Sequence, residues 1–413
     1  MSTVPFTTRT PDQRACNLIQ APDVHPGLRI PRRAVITGTG LLTPLGTTAN
    51  ETWRALLDGK FITDHTRAAG EYDNTSPRII QMARRAAGEA MGDAGWCGTQ
   101  ADDIHTIVGT SKGSIESWLP PATPLQHMSN SAYIAGGLHP TGLADIAATI
   151  ALGGPRLTLS GACASGLLAL IRAAMLIEAG HADRVLVVAA EASVHPLFLG
   201  SFKRLGVLPK KEIGCRPFDQ SRDGFLMSEA AAAVCLEANS SPVSQAQSFS
   251  RSACGARPGA PRIAIERYAQ GADATHLTST DPTGRVLRHL IQKVTQNQPV
   301  DLIHAHGTGT LANDPIELAA LESVFATAVQ TPCLYSHKGA LGHSLGAAGL
   351  VSVVLNVLAH QHHCVPPNTR TTQPLPSQHV SIHSTAHQTP IRRSLALAAG
   401  FGGATAAISL ISL

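Results

Sequence analysis

The sequence predicts an α/β fold built from two halves. Short apolar runs suited to buried strands alternate with segments of helical periodicity, and this alternation occurs twice along the chain. Hydrophobic residues make up 43% of the 413 residues and charged residues only 15%, so the chain can bury a large core. A stretch rich in Ser, Ala, Gln and Pro separates the two alternating regions. We therefore expect an N-terminal arm at 1–32, a first half at 33–240, a connecting loop at 241–261 and a second half at 262–413.

The first half opens with a strand that begins at Ala34 and runs into a Gly-rich turn ending at Gly46. Its Gly-x-Gly spacing could indicate dinucleotide binding, but Thr43 occupies the position of the last required glycine and Pro44 follows it. Gly38 and Gly40 are instead expected to allow close backbone packing. The other elements predicted in this half are helices at 50–57, 77–94 and 167–178, and strands at 104–110, from 157, at 184–190 and at 231–237.

The second half repeats the alternation of strands and helices. A strand followed by a Gly-rich turn occurs near both Ile36 and Ile303, which hints at an internal duplication. Residues 114–142 form a long irregular stretch, which is typical of a lid or a pocket wall. The predicted elements are strands at 262–268, 302–306, 332–335 and 395–399, and helices at 284–296, 315–328 and 347–360.

Charge, cysteine spacing and hydropathy exclude several classes of protein. The net charge of +4 is mild and occurs without long basic runs, which argues against a nucleic-acid binder. The eight cysteines contain no Cys-x-x-Cys pair, so neither a zinc knuckle nor a disulfide framework is indicated. The polar arm lacks the apolar run of a secretory signal, and no other run is expected to be long enough to span a bilayer. We therefore expect a reduced, cytoplasmic setting.

Cys163 lies in the stretch Leu157-Thr-Leu-Ser-Gly-Ala-Cys-Ala-Ser-Gly, where a strand gives way to a buried helix. The free N–H groups and dipole at a helix start favour a thiolate, so we expect a lowered pKa. Small neighbours leave room for a substrate to approach the sulfur. A lone cysteine is more often a small core residue, and two histidine motifs further along argue against that reading here.

His306 and His343 each lie in a Gly-rich loop that follows a predicted strand. The first occurs in His-Gly-Thr-Gly-Thr, and the second in Lys-Gly-Ala-Leu-Gly-His-Ser-Leu-Gly. A cysteine with two neutral imidazoles suits thioester chemistry, because the thiol takes the acyl group and the imidazoles donate to an oxygen gaining negative charge. His304 and His306 alternate on a strand and point to opposite faces, so no metal site is expected.

These motifs resemble those of the elongating, Cys-His-His β-ketoacyl-acyl carrier protein synthases. The resemblance runs from Arg33 nearly to the C-terminus. It includes the opening Ile-Thr-Gly-Thr-Gly, a middle Arg-Pro-Phe-Asp with Arg-Asp-Gly-Phe, and a terminal Gly-Phe-Gly-Gly. It implies a thiolase-type layered fold of two similar βαβαβ halves. It also implies decarboxylative Claisen condensation with malonyl-acyl carrier protein, in fatty acid or polyketide-like synthesis.

The resemblance also implies roles for individual residues. Cys163 would accept the acyl group, and His306 and His343 would hold the malonyl thioester oxygen during loss of carbon dioxide. Lys338 and Glu317 would form a supporting charged pair, and the Phe401 N–H would contribute to the oxyanion hole. No resident cofactor is expected, because the phosphopantetheine would be carried by a separate acyl carrier protein. The implied assembly is a homodimer or a ketosynthase heterodimer.

Two departures from the family pattern mark a divergent member. Met227-Ser-Glu-Ala stands where Met-Gly-Glu-Gly is usual, and Ala404-Thr405 stands where the family has Thr-Asn. Two alternatives stay open: a non-catalytic partner subunit of the chain-length-factor type, and another condensing enzyme of the thiolase fold. Retention of the cysteine argues against the first, and the second histidine argues against starter synthases. Acyl length and the kind of pathway stay open.

The densest basic cluster of the chain is the expected docking site for an acidic carrier protein. It could equally be an ordinary solvated loop, since runs of charge usually face solvent. The cluster consists of Lys203, Arg204, Lys210 and Lys211.

Overall fold

The computed structural model describes residues 32–74, 76–96, 103–115, 152–209, 214–239, 262–276, 278 and 280–413. Its strands are β1 (Ala34–Leu42), β2 (His105–Gly109), β3 (Arg156–Leu159), β4 (Arg184–Glu191), β5 (Ala230–Ala238), β6 (Ile263–Ala272), β7 (Leu302–His304), β8 (Cys333–Tyr335), β9 (Cys364–Val365), β10 (Ser381–Ile382), β11 (His387–Gln388), β12 (Arg393–Ala399) and β13 (Ala404–Ser412). Its helices are α1 (Ala49–Leu57), α2 (Arg78–Ala94), α3 (Ser165–Glu178), α4 (Pro196–Arg204), α5 (Arg285–Thr295), α6 (Asn313–Phe325), α7 (Lys338–Leu341) and α8 (Ala348–His362).

The strand order shows that the two halves have the same topology. The main sheet runs β10-β8-β7-β12-β13-β6-β1-β5-β4-β2-β3. Counted within its own half and without the extra edge strand β10, each half contributes five strands in the order 1-5-4-2-3, and its fifth strand is antiparallel to both neighbours. The halves join where β1 pairs with β6 in antiparallel register, Val35 opposite Ala264. The internal duplication suggested by the sequence is therefore present in the fold.

Side chains alternate between the two faces of each strand, so each set of strands has helices on both faces. The five layers are an outer layer of helices, the first set of strands, a central pair of helices, the second set of strands and another outer layer of helices. Val185 and Val187 of β4 face a central core, whereas Leu186 and Val188 face an outer core shared with α2. The strands of the second half alternate in the same way. Leu302 of β7 faces the central core, and the next residue, Ile303, faces an outer core shared with α5 and α6. Helices α3 and α8 lie in the central core between the two sets of strands.

Helix α8 and the turn before it form the one segment of the described residues with the length and apolar composition of a membrane span. The window Leu345–His362 has mean hydropathy 1.2, and 89% of it is buried inside the protein. Our expectation that no run would be long enough was therefore wrong by length and composition. Its burial between the sheets is that of a core helix.

Close packing explains the glycines of β1. A Cβ at Gly38 would clash with the backbone carbonyl of Ala90, and a Cβ at Gly40 would clash with that of Ala86, both on α2. The predicted structural role of these glycines is confirmed. At the other end of the turn, Thr48 caps α1 by accepting from the Glu51 N–H at 3.2 Å, and the Glu51 carboxylate accepts from the Thr47 N–H.

The predicted strands and helices are found within a few residues of their expected bounds. The missed elements are helices α4 and α7 and strands β9, β10, β11 and β13. The first five are short, and β13 has an Ala- and Ser-rich sequence that lacks a β-branched run. The arm up to residue 31, the connecting loop 241–261 and most of the irregular stretch 114–142 lie outside the described residues.

Candidate active site

A tight turn between β3 and α3 presents Cys163. Ala162 adopts a left-handed backbone conformation, with φ of 49°, which a residue with a Cβ adopts at a cost of about 1–3 kcal/mol. The Ser165 hydroxyl fastens the turn by accepting from the Gly161 N–H at 2.9 Å and donating to the Ala162 carbonyl at 2.6 Å. A Cβ on Gly161 would lie too close to Leu168. The turn therefore places the sulfur at the start of a buried helix. Cys163 itself is 9% exposed.

The ionisation of Cys163 differs from the sequence expectation. Burial raises the pKa of Cys163 to about 11, and the positive charges of Lys338 and Lys112 oppose the rise without cancelling it. The prediction of a lowered pKa was wrong, because loss of solvation outweighs the charges around this turn. Cys163 is therefore a thiol at neutral pH, with its Sγ 3.2 Å from His343 Nε2.

The His306 loop is held by two carboxylates on one face of α6. Glu317 accepts from the N–H groups of His306 and Gly307, at 2.7 and 2.8 Å. Asp314, one helical turn earlier, accepts from the N–H groups of Thr308 and Gly309 at 3.1 Å. Both carboxylates are buried. The loop backbone that carries His306 is thus fixed by four N–H donors on two acidic side chains.

The His343 loop is fixed by the end of the middle sequence motif and the residues that directly follow it. The His343 N–H donates to the Leu226 carbonyl at 2.7 Å, and the His343 carbonyl accepts from the Ser228 N–H at 3.1 Å. Phe225 packs edge-on against the imidazole, with ring centroids 5.0 Å apart. Gly342 has φ of 73°, where a side chain would be strained. The end of the middle motif and the residues after it therefore position the second histidine.

Cys163, His306 and His343 come together although they lie far apart in the sequence. The two imidazoles are 5.6 Å apart between ring centroids and nearly perpendicular, at 81°. Burial, with the positive charge of Lys338, holds the pKa of both histidines well below the usual value. Both rings are consequently neutral at pH 7, and each carries one N–H that can donate a hydrogen bond.

Lys338 and Glu317 both contact the His306 loop, but they do not form a direct ion pair among the described residues. The Lys338 ammonium donates to the His306 carbonyl, and Glu317 binds the N–H of the same residue. Lys338 is 1% exposed. Burial lowers its pKa, and the nearby Glu317 carboxylate opposes that shift. The two side chains therefore hold the same backbone segment, one at its carbonyl and the other at its N–H. They interact with each other only through charge at longer range.

The hairpin between β12 and β13 closes the site beside the nucleophile. A Cβ on Gly400 would lie 2.8 Å from the Gly161 carbonyl and 3.0 Å from the Cys163 nitrogen, so the two turns are in close contact. Ala404 and Thr405, which depart from the family pattern, begin β13. The Thr405 hydroxyl donates to the Gly403 carbonyl at 3.0 Å, so it stabilises the hairpin itself.

A pocket lined by the cysteine and the two histidines has further apolar and polar lining residues, which are called here its apolar wall and its polar wall. The apolar wall contains Phe202, Val207, Phe225 and Phe401. The polar wall contains hydroxyl, amide, carboxyl and imidazole groups, which could bind an extended polar chain by hydrogen bonds. The residues of this wall are Asp273, His276, Thr278, Thr280, Thr308, Thr310 and Asn313.

The basic cluster is only partly described. Lys203 and Arg204 are exposed in the last turn of α4, immediately after the pocket residue Phe202. Lys210 and Lys211 lie outside the described residues. The described pair thus lies on the helix that supplies part of the apolar wall.

Sequence reasoning missed two buried carboxylates that support the site, Asp314 and Glu191. Glu191, at the end of β4, accepts from the Ser111 N–H at 2.8 Å and from the Ser193 hydroxyl at 2.8 Å. It also accepts from the Gly346 N–H at 3.1 Å, across the boundary between the halves. For Glu191, an acidic residue ending an apolar run was the only available signal.

The geometry defines a class of protein. Two halves of equal topology, with a cysteine from the first and two histidines from the second meeting at their boundary, define a thiolase-fold protein of the Cys-His-His type. Comparison with protein families then gives the particular family. The family described as "Beta-ketoacyl synthase, N-terminal domain" matches residues 61–241, and "Beta-ketoacyl synthase, C-terminal domain" matches residues 263–372. The chain belongs to the β-ketoacyl synthase family.

Curated relatives include 3-oxoacyl-[acyl-carrier-protein] synthases and polyketide beta-ketoacyl synthases. The chain is 29% identical to 3-oxoacyl-[acyl-carrier-protein] synthase 2 of Rhizobium meliloti (strain 1021), over 92% of this chain and 98% of the relative. It is also 29% identical to the actinorhodin polyketide putative beta-ketoacyl synthase 1 of Streptomyces coelicolor, over 92% of this chain and 88% of the relative. At these identities the chain is a divergent member of the family.

Solved structures agree in fold over nearly the whole chain. A ketosynthase assembly described as a type II PKS acyl-carrier protein in complex with its ketosynthase bound to the hexaketide superposes with a TM-score of 0.79. It is 25% identical, over 93% of this chain and all of that chain. The ishigamide ketosynthase/chain length factor superposes with a TM-score of 0.77 at 25% identity, with the same coverage. The predicted thiolase-type fold is confirmed.

Proposed function

We propose that the protein catalyses decarboxylative Claisen condensation of a Cys163-bound acyl group with malonyl-acyl carrier protein. The product is a β-ketoacyl-acyl carrier protein. One observation carries the proposal: a thiol with its sulfur 3.2 Å from one neutral imidazole, and a second neutral imidazole across from the first, in one pocket. Membership of the β-ketoacyl synthase family supports it.

In the first half-reaction, Cys163 receives the acyl group from a thioester. Sγ bonds to the thioester carbonyl carbon, the carbon–sulfur bond to the donor breaks, and the Cys163 proton passes to the departing thiol. His343 Nε2 lies next to Sγ and, as the N–H donor that the second half-reaction also needs, would stabilise the sulfur while that proton passes to the leaving group. Backbone N–H groups of Cys163 and Phe401, in the two contacting turns, would hold the developing oxyanion.

In the second half-reaction, the malonyl unit loses carbon dioxide and attacks the acyl group. The electron pair of the broken carbon–carbon bond forms an enolate, whose oxygen accepts hydrogen bonds from the N–H groups of His306 and His343. The enolate carbon then bonds to the acyl carbonyl carbon. Cys163 leaves as a thiolate and regains a proton from water. Neutral imidazoles suit this step, because they are already protonated at the donating nitrogen and need no proton transfer.

An acyl carrier protein is the proposed partner, and its phosphopantetheine arm would bring the thioester. The arm would lie along the polar wall, where hydroxyl and amide groups can bind its own amides, while the acyl chain contacts the phenylalanines. Lys203 and Arg204, beside Phe202, would contact the acidic carrier surface, as would Lys210 and Lys211. We propose no resident cofactor, a cytoplasmic location, and either a homodimer or a heterodimer with a second ketosynthase-like chain.

A non-catalytic role as a chain-length-factor-type partner is the second candidate. The similarity to the ishigamide ketosynthase/chain length factor keeps this class relevant. Against it stands the complete site: the cysteine turn, both histidine loops and the carboxylates that hold them are all in place. A partner that only shapes a neighbour's tunnel has no need of this arrangement.

Reconstitution with a carrier protein tests the proposed reaction. The purified protein is incubated with acyl-carrier protein and malonyl-carrier protein, and the carrier-bound products are measured by mass spectrometry. We expect an acyl adduct on Cys163 alone, followed by a carrier product two carbons longer with a β-keto group. A chain that binds ketosynthases but forms neither adduct nor product, alone or with a second ketosynthase-like chain, would support the partner role instead.

A further inference from the structure

Three metal-binding side chains meet at the edge of the main sheet, away from the residues that line the pocket. Cys333, His383 and His387 each place one ligand atom within 4.8 Å of the others. Cys333 is buried, and the two histidines are half-buried, so the group opens toward solvent on one side. The two imidazoles are stacked in parallel, with ring centroids 4.2 Å apart and an interplanar angle of 2°.

The fold brings these residues together from three short strands. Cys333 begins β8, and its neighbour in the sheet is Ser381 of β10, the edge strand. His383 follows β10 directly, and His387 begins β11, which pairs with β9 outside the main sheet. The residues therefore converge only when the edge strand and the small β9–β11 ribbon are in place.

The donor set matches the preference of one common metal ion. Zn²⁺ binds one thiolate and two neutral imidazoles in tetrahedral sites, with bonds of about 2.0–2.3 Å and a water in the remaining position. Ligand atoms around such an ion are separated by roughly 3–4 Å. In this structure the ligand atoms lie within 4.8 Å of one another. Rotation of the half-buried imidazoles can shorten these separations to the range around a bound ion. Carboxylate-preferring cations such as Mg²⁺ and Ca²⁺ do not suit sulfur and nitrogen donors.

Part of the supporting shell is also present. The Ser381 hydroxyl lies 3.2 Å from His383 Nε2 and also donates to the Pro332 carbonyl at 3.3 Å. Hydrogen bonding of this kind orients an imidazole so that its other nitrogen faces a metal. The stack keeps both rings beside the Cys333 thiol, and binding one ion requires one ring to rotate out of the stack so that both nitrogen lone pairs point at the metal.

We propose that Cys333, His383 and His387 bind one Zn²⁺ ion, with water as the fourth ligand. The ion would link the edge strand and the β9–β11 ribbon to β8. Strand β8 leads directly into the segment that carries Lys338 and His343, so the ion would stabilise the strand from which that segment starts. The sequence predicts no metal site, because the three residues share no local spacing motif.

Metal titration of the Cys163→Ala protein tests the proposal. That background removes the thiol beside His306 and His343, which could otherwise bind zinc. The protein is stripped with a chelator, and Zn²⁺ binding is measured by equilibrium dialysis with elemental analysis. Cobalt substitution adds a spectroscopic readout, since a thiolate ligand gives a sulfur-to-cobalt charge-transfer band and tetrahedral geometry gives intense d–d bands. Thermal unfolding with and without Zn²⁺ reports the stabilisation of the native state.

We expect one tightly bound zinc per chain, a thiolate–cobalt band and a raised melting temperature. His387→Ala, at the solvent side, should lower the zinc affinity at least about tenfold, because a ligand is lost. His379→Ala, a nearby histidine outside the cluster, should retain the binding. Cys333→Ser should abolish the charge-transfer band. The proposal is overturned if zinc binds no more tightly to the parent protein than to His387→Ala, or if the cobalt complex lacks the thiolate band.

Discussion

The turn that carries Cys163 and the loops that carry the two histidines are stabilised in different ways. The cysteine turn is made of small residues, one hydroxyl and one strained backbone conformation, at Ala162. The His306 loop depends on buried charge: Glu317 and Asp314 hold its N–H groups, and Lys338 holds a carbonyl. The first arrangement gives a substrate access to sulfur, and the second fixes two rings by paired electrostatic contacts.

This difference assigns different sensitivities to the two halves. Changes at the cysteine turn should affect the chemistry of one atom and little else. Changes around the histidines should affect the stability of the loop as well as the reaction, because each charge there compensates another. The predictions below test that contrast.

The largest effect is expected for Cys163→Ala. The variant should lose acyl loading completely, since no other described group takes the place of the sulfur. It should still release carbon dioxide from malonyl-carrier protein, because both imidazoles remain. Intact-mass analysis and release of labelled carbon dioxide measure the two steps separately. An acyl group found on another cysteine would contradict the assignment of the nucleophile.

His306→Ala and His343→Ala should each reduce malonyl decarboxylation by roughly 10²–10³-fold, as expected for loss of one donor to the enolate oxygen. Acylation of Cys163 should be largely retained, with the greater loss in His343→Ala because that ring contacts the sulfur. Single-turnover acylation and decarboxylation are to be measured on the same preparations. Equal losses of both half-reactions in both variants would show that the rings act as a shared base or support the fold.

Glu317→Gln should destabilise the protein by about 1–3 kcal/mol, because the new amide group leaves one buried N–H of the His306 loop without an acceptor and removes a charge that favours the Lys338 ammonium. A double-mutant cycle with Lys338→Met should give a coupling of roughly 0.5–3 kcal/mol. Urea unfolding measures each variant. The matched cycle pairs Lys338→Met with Glu191→Gln, whose hydrogen bonds go to Ser111, Ser193 and Gly346, and it should be close to additive.

Acid should destabilise the second half through its buried histidines. Burial lowers the pKa of His360 to about 4, and the ring bonds to Ser394 and Ser412. Below pH 6.5 the unfolded chain binds a proton that the folded chain does not, so stability falls with pH until about pH 4. His360→Asn should remove roughly 1.4 kcal/mol of this loss per pH unit in that window.

The measurement is urea unfolding of parent and variant at several pH values between 7 and 4.5. His289→Asn, a change at an exposed histidine, serves as the control for loss of an imidazole. If His360→Asn leaves the slope of stability against pH unaltered, the buried ring does not account for the acid sensitivity.

The smallest effect is expected at the basic pair beside the pocket. Lys203→Glu with Arg204→Glu should raise the apparent KM for the carrier protein, because exposed charges mainly affect the rate at which two proteins associate. The dependence of this KM on salt concentration should become weaker. Turnover of a small acyl-pantetheine mimic should stay unchanged. The control is Arg54→Glu with Lys60→Glu, two exposed charges on and after α1. Equal losses with carrier and mimic would place the effect in the pocket or the fold.

Prediction from sequence succeeded where a local pattern determines the result. Apolar runs placed the strands, and the motifs around Cys163, His306 and His343 located three side chains that meet in one pocket. The ionisation of Cys163 could not be predicted in the same way. A helix start favours a thiolate, but the depth of burial depends on the packing of both halves, and burial decides the outcome.

Other features escaped prediction because they depend on tertiary convergence. Glu191 ends an ordinary apolar strand, and its role emerges only when Gly346 from the other half comes within hydrogen-bonding distance. Cys333, His383 and His387 belong to separate short strands, and no spacing rule for metal ligands covers them. Strand β13 was missed because its small residues carry a weak strand signal, although it pairs on both sides within the sheet.

The repeated strand order has a consequence for how the site is divided between the halves. Cys163 follows the third strand of the first half, and the segment with Lys338 and His343 follows the third strand of the second. His306 follows the second strand of its half, as Ser111 follows the second strand of the other. The repeated topology therefore offers each of these positions twice. The third position holds the nucleophile in one half and an electrostatic partner in the other, so the asymmetry of the site lies in its side chains and not in its topology.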